Sequence, residues 1–255
     1  MTAVEFRGVS FSVSDRAVLD NLTLSVAPGE TLVLLGRSGS GKTTALKMVN
    51  GLLQPTAGEV LVDGRATSAW DAIQLRRRIG YVIQEVGLFP HFTVAENIGL
   101  VPRLNGWPPE RISARVRELL EQVDLPPDDF AARYPRQLSG GQRQRVGVAR
   151  ALAADPDLLL FDEPFGALDP VTRLELQNQF LALRDRLQKT SIFVTHDVRE
   201  ALRIGTRIAL LDRGRLETLE TPARFLGSLG PQTRAFLAVL EDQLQSPAPA
   251  PEARP

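Results

Sequence analysis

Apolar positions along this chain change period several times, and each change marks an element. Leu22, Leu24 and Val26 alternate with Thr23 and Ser25, the period of a half-buried strand, so the stretch through about Gly29 reads as β structure. Thr31-Leu32-Val33-Leu34-Leu35 is a continuous apolar run of strand length. From Thr44 through Leu53 the period becomes helical, with Ala45, Leu46, Val49, Leu52 and Leu53 on one side. Gly58-Glu59-Val60-Leu61-Val62-Asp63-Gly64 is a strand bracketed by glycines. From Arg111 to Val123, apolar Ile112, Val116, Leu119, Leu120 and Val123 recur at helical spacing among arginines and glutamates. The proline-rich stretch from Pro102 to Pro109 opens that segment and Pro126-Pro127 closes it, which predicts a helical lobe over roughly 90–137. Leu158–Phe161, Ile192–Val194 and Ile208–Leu211 are short apolar runs separated by helical patterns, the signature of parallel strands with crossover helices. In such sheets ligands sit at the carboxyl ends of the strands.

Length permits one large domain or a core with an inserted lobe. We divide the 255 residues into a domain over 1–240, with the helical subdomain inserted at about 90–155, and a Pro/Ala-rich tail over 241–255. The last ten residues, Ser246 to Pro255, are too poor in apolar surface to offset ordering entropy and are expected to be disordered. Lys+Arg and Asp+Glu are both 30, so net charge points neither to nucleic acid nor to an anionic membrane face. The absence of cysteine excludes disulfides, thiolate metal sites and a cysteine nucleophile. Met1-Thr2-Ala3-Val4-Glu5-Phe6 lacks a basic start and apolar run, and no apolar run reaches membrane-span length; the expectation is a soluble cytosolic chain. There is no internal repeat.

Candidate chemistry clusters at predicted strand ends. Gly36-Arg37-Ser38-Gly39-Ser40-Gly41-Lys42-Thr43 fits the GxxxxGK[ST] phosphate loop, with a strand before it and a helix after it. Glycines let successive backbone N–H groups converge on phosphate oxygens, and the helix N-terminus adds its positive dipole end. Lys42 would neutralise β- and γ-phosphate charge, and Thr43 offers a hydroxyl to Mg²⁺. Asp162 and Glu163 follow directly on Leu158–Phe161: the first is suited to holding Mg²⁺ through its water shell, the second to activating water for attack on a γ-phosphate. Leu138-Ser139-Gly140-Gly141-Gln142 reads locally as a turn followed by a helix that Ser139 can cap.

Taken together, these segments resemble the ATP-binding subunit of ATP-binding cassette (ABC) transporters, over about Val4 to Leu226. The resemblance implies an α/β fold: a P-loop NTPase core with an N-terminal antiparallel β subdomain and an inserted α-helical subdomain. Gln84, Asp169 in Gly166-Ala167-Leu168-Asp169, and His196 occupy the positions of that family's Q-loop, D-loop and switch histidine. It also implies ATP and Mg²⁺ as ligands and a head-to-tail homodimer. In that dimer Gly36–Thr44 of one subunit and Ser139–Gln142 of the other would sandwich each ATP. Glu163 would be the general base, His196 would contact the γ-phosphate, and Gln84 would join Thr43 and Asp162 around the metal. One position departs from the family: Val13 stands where an aromatic residue usually stacks on adenine. Phe11 would share its face only in a regular strand register.

A narrower resemblance concerns cargo. Tyr81 to His91 is similar to the importer branch, and Asn97 to Trp107 resembles subunits of glycine betaine, choline and related quaternary-amine importers. Leu100, Leu104 and Trp107 would equally suit the core of a helical lobe, and His91 receives no chemical role. The expected partners are integral membrane permease subunits and a substrate-binding protein, with no nucleic acid. The expected location is the inner face of the cell membrane, attached peripherally, and no room is left for appended regulatory domains. The rivals are an importer subunit for an amino acid or oxyanion, a soluble cassette ATPase of DNA repair or translation, and a P-loop kinase, which has no reason to contain Ser139–Gln142. Between Gln84 and Trp107 the segment, with Leu88, Phe89, Phe92, Leu100, Val101, Leu104 and Trp107, is apolar enough to expect that part of it lines a groove for a short permease helix.

Overall fold

A computed structural model describes residues 2–14, 16–84, 86–166, 168–228 and 230–245. The tail from Ser246, together with Glu85 and Ala167 inside the motifs above, lies outside the described residues. In chain order the first elements are β1 (Val4–Val13), β2 (Arg16–Val26), β3 (Thr31–Leu35), α1 (Lys42–Val49), β4 (Ala57–Val62), β5 (Arg65–Ala66), α2 (Ala72–Arg77) and β6 (Ile79–Val82). Among the described residues four α-helices follow: α3 (Val94–Leu104), α4 (Pro109–Gln122), α5 (Pro127–Phe130) and α6 (Gly140–Leu152). The chain then runs through β7 (Leu158–Asp162), α7 (Pro170–Leu187), β8 (Thr190–Thr195), α8 (Val198–Ile204), β9 (Arg207–Asp212), β10 (Arg215–Glu220), α9 (Pro222–Leu226) and α10 (Pro231–Gln245). Pro109, Pro127, Pro170, Pro222 and Pro231 each open a helix, where a missing N–H costs nothing.

Among the described residues, two sheets carry the fold. An antiparallel sheet has the order β2-β1-β4-β5, and a larger one has the order β10-β9-β3-β8-β7-β6. Within the larger sheet β6, β7, β8, β3 and β9 are parallel, and β10 returns antiparallel at the edge. The period-2 alternation of β3 divides its side chains between two cores. Leu32 and Leu34 join α1 and the antiparallel sheet, while Val33 and Leu35 join the helices of the other face. A strand buried on both faces has no polar alternation, which is why these runs are continuously apolar. On that second face α3, α4 and α6 pack against one another and α6 reaches β6.

Four details differ from the periodicity reading. α1 stops at Val49, ahead of the Asn50-Gly51 pair, and Leu52 is exposed instead of lying on the buried side. Pro102 is buried inside α3 near its end, so the proline stretch closes one helix before Pro109 opens the next. Leu104 is 52% exposed and is no part of a lobe core. The fourth detail is α10, which continues to Gln245 and so takes helix into 241–245, read from composition as tail. Phe236 and Leu237 pack on the helical-face core and give that helix an anchor.

Candidate active site

Residues 36–41 join the carboxyl end of β3 to α1. Gly41 has φ +99°, and a Cβ there would lie 2.6 Å from Leu19 Cδ2 and 2.8 Å from the Val18 carbonyl oxygen. Only glycine lets the loop press this closely on β2. As the N-cap of α1 it supplies no side-chain acceptor, which leaves the first-turn N–H groups to an external one. Lys42 is 4% exposed and its Nζ donates to the carbonyls of Gly36 at 2.8 Å and Arg37 at 2.9 Å. Burial pushes its pKa down, while Glu163 and Asp162 push it back up. The buried Ser40 hydroxyl has no hydrogen-bond partner among the described residues. That hydroxyl lies against Gly36, where a Cβ would stand 2.5 Å from it, so the phosphate donors facing the open site are the loop's backbone N–H groups and Lys42.

The acidic pair closes the far side. Thr43 Oγ1 donates to Asp162 Oδ1 at 2.8 Å, and the Tyr81 hydroxyl lies 3.4 Å from Asp162 Oδ2. Burial raises the Asp162 pKa and the Thr43 bond draws it down. Burial, reinforced by Asp162, also holds the Tyr81 phenol protonated well above its ordinary range. Glu163 adopts φ +46°, the left-handed region that a non-glycine residue rarely occupies, and its N–H donates to the Val194 carbonyl at 3.0 Å. That turn brings Glu163 Oε2 to 3.1 Å from His196 Nδ1. Because β3, β8, β7 and β6 are consecutive in the sheet, their carboxyl ends deliver the loop, His196, Asp162–Glu163 and Gln84 to one rim.

A cavity of ≈ 860 Å³ lies at this rim, lined by Arg37, Ser38, Gly39, Gly41 and Lys42 to Thr44 together with Gln84, Glu163 and His196, whereas Gly36, Ser40 and Asp162 do not line it. Its oxygen donors suit a hard divalent cation that shares its ligands with water and phosphate. Among the described residues no cluster of three or more His, Cys, Asp or Glu could hold a metal by itself.

Other sequence-predicted residues sit elsewhere. Ser139 and Gln142 form a reciprocal capping box on α6: Ser139 Oγ accepts from the Gln142 N–H at 3.2 Å, and Gln142 Oε1 accepts from the Ser139 N–H at 2.9 Å. Asp169 caps α7 by accepting from the Thr172 N–H at 3.1 Å, and this bonding to Thr172 lowers its pKa. Neither these two residues nor Gly140, Gly141 and Asp169 line the cavity. Val13 is 53% exposed and does not line it either. The β1–β2 register shifts between Phe11 and Ser12, and Phe11 packs on the antiparallel-sheet core. Sequence reasoning missed Tyr81, Val18, Arg199 and Phe236. The last three line the cavity from separate elements, and nothing in their local patterns marks them.

A profile of the ABC transporter family matches residues 19–166. The chain belongs to the ABC transporter family. Its ABC relatives include the osmoprotectant import ATP-binding protein OsmV of Salmonella typhimurium, 50% identical over 87% of this chain and 60% of OsmV. The choline transport ATP-binding protein OpuBA of Bacillus subtilis is 50% identical over 81% of this chain and 54% of OpuBA. This ABC chain therefore spans between half and two thirds of the length of these relatives. Among solved structures, the ATP-binding cassette MJ0796, dimeric in a post-hydrolysis state bound to ADP and Pi, is similar with a TM-score of 0.77 and 36% identity. That match covers 86% of this chain and 98% of MJ0796. The ABC cassette fold expected from the motifs is thus the fold observed.

Proposed function

We propose that this chain is the ATP-hydrolysing subunit that energises a membrane importer of quaternary-amine osmoprotectants such as glycine betaine or choline. The observation that carries the enzymatic part is the convergence at one cavity of Lys42, of Thr43, whose hydroxyl is bonded to Asp162 behind it at 2.8 Å, and of the Glu163–His196 contact at 3.1 Å. Lys42 and the N–H groups of Gly39 to Thr44 hold the β- and γ-phosphates. Thr43, Asp162 and Gln84 would hold Mg²⁺, which when bound would neutralise charge developing on the transferred phosphoryl oxygens. Glu163 takes a proton from the attacking water, and His196, tied to Glu163, contacts the γ-phosphate. The cargo part rests on the names of the relatives, OsmV and OpuBA, and on Asn97–Trp107.

The signature Ser139–Gln142 does not line its own cavity, which favours its use on a partner subunit. The dimeric state of the similar MJ0796 cassette supports the same reading. Two subunits would then sit on the inner membrane face under permease subunits fed by a substrate-binding protein. The helical subdomain, about 90–155, would meet the permease. A groove of ≈ 350 Å³ lined by Arg76, Arg77, Tyr81, Phe89, Leu100 and Val101 suits a short permease helix, with Phe89 42% exposed. Leu104 and Trp107 do not line it, and Trp107 instead lies under the Arg111 guanidinium at 3.6 Å.

The test is co-expression with an osmoprotectant permease and its binding protein. Glycine betaine or choline should stimulate ATP turnover of the assembled complex. Phe89→Asp should retain soluble ATPase activity and lose co-purification of the permease. Recovery of nucleic acid without any membrane protein would contradict the importer reading.

A further inference from the structure

His196 leaves 60% of its side chain exposed, so packing does not position it. What holds its turn lies behind it. Thr195 is buried; its hydroxyl donates to Glu200 Oε2 at 2.6 Å and accepts from the Asp197 N–H at 3.0 Å. Glu200 is 5% exposed, with its pKa raised by burial, and its Oε1 accepts from Gln177 Nε2 at 3.3 Å. On the other side of the histidine, Asp197 Oδ1 accepts from the Arg199 N–H at 2.8 Å and Oδ2 faces Arg173 Nη1 at 3.8 Å. Arg173 and Gln177 are one helical turn apart on α7, so both shoulders of the His196 turn are tied to the same helix.

Arg173 also reaches a second place. Its Nη2 donates to the Leu168 carbonyl at 3.2 Å, in the loop that ends at the α7 cap Asp169. One planar, multiply donating guanidinium therefore bridges two loops that the sequence keeps apart. We propose that Arg173 is a positioning residue for His196: it fixes the Thr195–Asp197 turn against the Leu168–Asp169 loop, so that a subunit arriving at that loop sets the histidine. This rests on the reading of His196 as a phosphate contact and of Asp169 as part of the subunit interface.

The chain has two histidines, His91 and His196, so ring resonances of isotope-labelled histidine report on the turn directly, with His91 as internal control. In Arg173→Gln the His196 signals should shift or broaden while those of His91 stay in place. The kcat for ATP should fall by about tenfold, with the Kd for ATP held within about threefold. Arg173→Lys keeps charge near Asp197 without the forked reach. It should give the same signature in weaker form and guards against misfolding of the glutamine variant. Unchanged His196 signals in both variants overturn the proposal. Displaced His196 signals with an unchanged kcat uphold Arg173 as the positioning residue and remove His196 from the hydrolytic step.

Discussion

Asp162 is pulled two ways: burial raises its pKa, and the Thr43 hydroxyl bond draws it down. Burial leads, so the folded protein holds this proton more tightly than the unfolded chain does. The stability that the group lends is full below its ordinary pKa and is lost as pH rises through the raised one. Asp162→Asn removes the buried charge and should therefore melt above the wild type at neutral pH, by about 2–4 °C for each kcal/mol in a chain of this size. The two should converge in acid, and the variant should lose Mg²⁺-dependent turnover. Thermal scans at acidic and neutral pH check this; a wild type that melts at or above the variant at neutral pH contradicts it. Val13 carries a second expectation. Aromatic stacking on a base contributes about 1–3 kcal/mol, and neither Val13 nor the inward-packed Phe11 supplies it at the cavity. GTP should compete with ATP within about tenfold, and Val13→Tyr should tighten ATP by roughly that factor. A several-hundredfold ATP preference in competition binding would point to another platform. The phosphate loop and Asp162–Glu163 were legible because each is a contiguous segment with its chemistry in order. Tyr81 was not, because its partner Asp162 is 81 residues away, nor was the left-handed backbone of Glu163, which no residue type announces.

Among the elements, α6 has a grip that its capping box does not suggest. Arg150 donates to the carbonyls of Val86 and Gly87, both at 2.7 Å, and burial lowers its pKa. One turn earlier, Gly147 leaves a space in which a Cβ would stand 2.6 Å from Val86 Cγ1. The helix that Ser139 caps is thereby joined to the segment just beyond Gln84. Gly147→Val should push Val86 away, speed amide exchange over 86–92 and lower turnover by about tenfold. ATP affinity should stay within about threefold, since Gly147 does not line the cavity. Unaltered exchange in that segment would break the link. Long periodic or continuously apolar segments such as β3 and α4 could be read directly from the chain. β10 could not: its exposed edge mixes Arg, Glu and Thr, and its place comes from pairing with β9. Likewise the end of α1 is decided by two residues, Asn50 and Gly51, against an apolar pattern that continues past them.

For the whole molecule, the six-stranded sheet separates two cores and carries the catalytic candidates along one rim. The signature helix lies on the helical side with Ser139 and Gln142 turned to its own N-terminus. On the proposed reading a single chain would hold one half of a phosphate site and, elsewhere, the residues that complete another. Glu163→Gln tests this account most directly. The amide keeps the shape of the side chain and its reach to His196 but cannot take a proton, so ATP should bind and not turn over. Without hydrolysis to reopen them, two subunits should remain closed around ATP and Mg²⁺. Light scattering on a sizing column should then show a dimer with ATP and Mg²⁺ and a monomer once nucleotide is removed. A variant that stays monomeric with ATP bound, or hydrolyses ATP at the wild-type rate, would contradict the account.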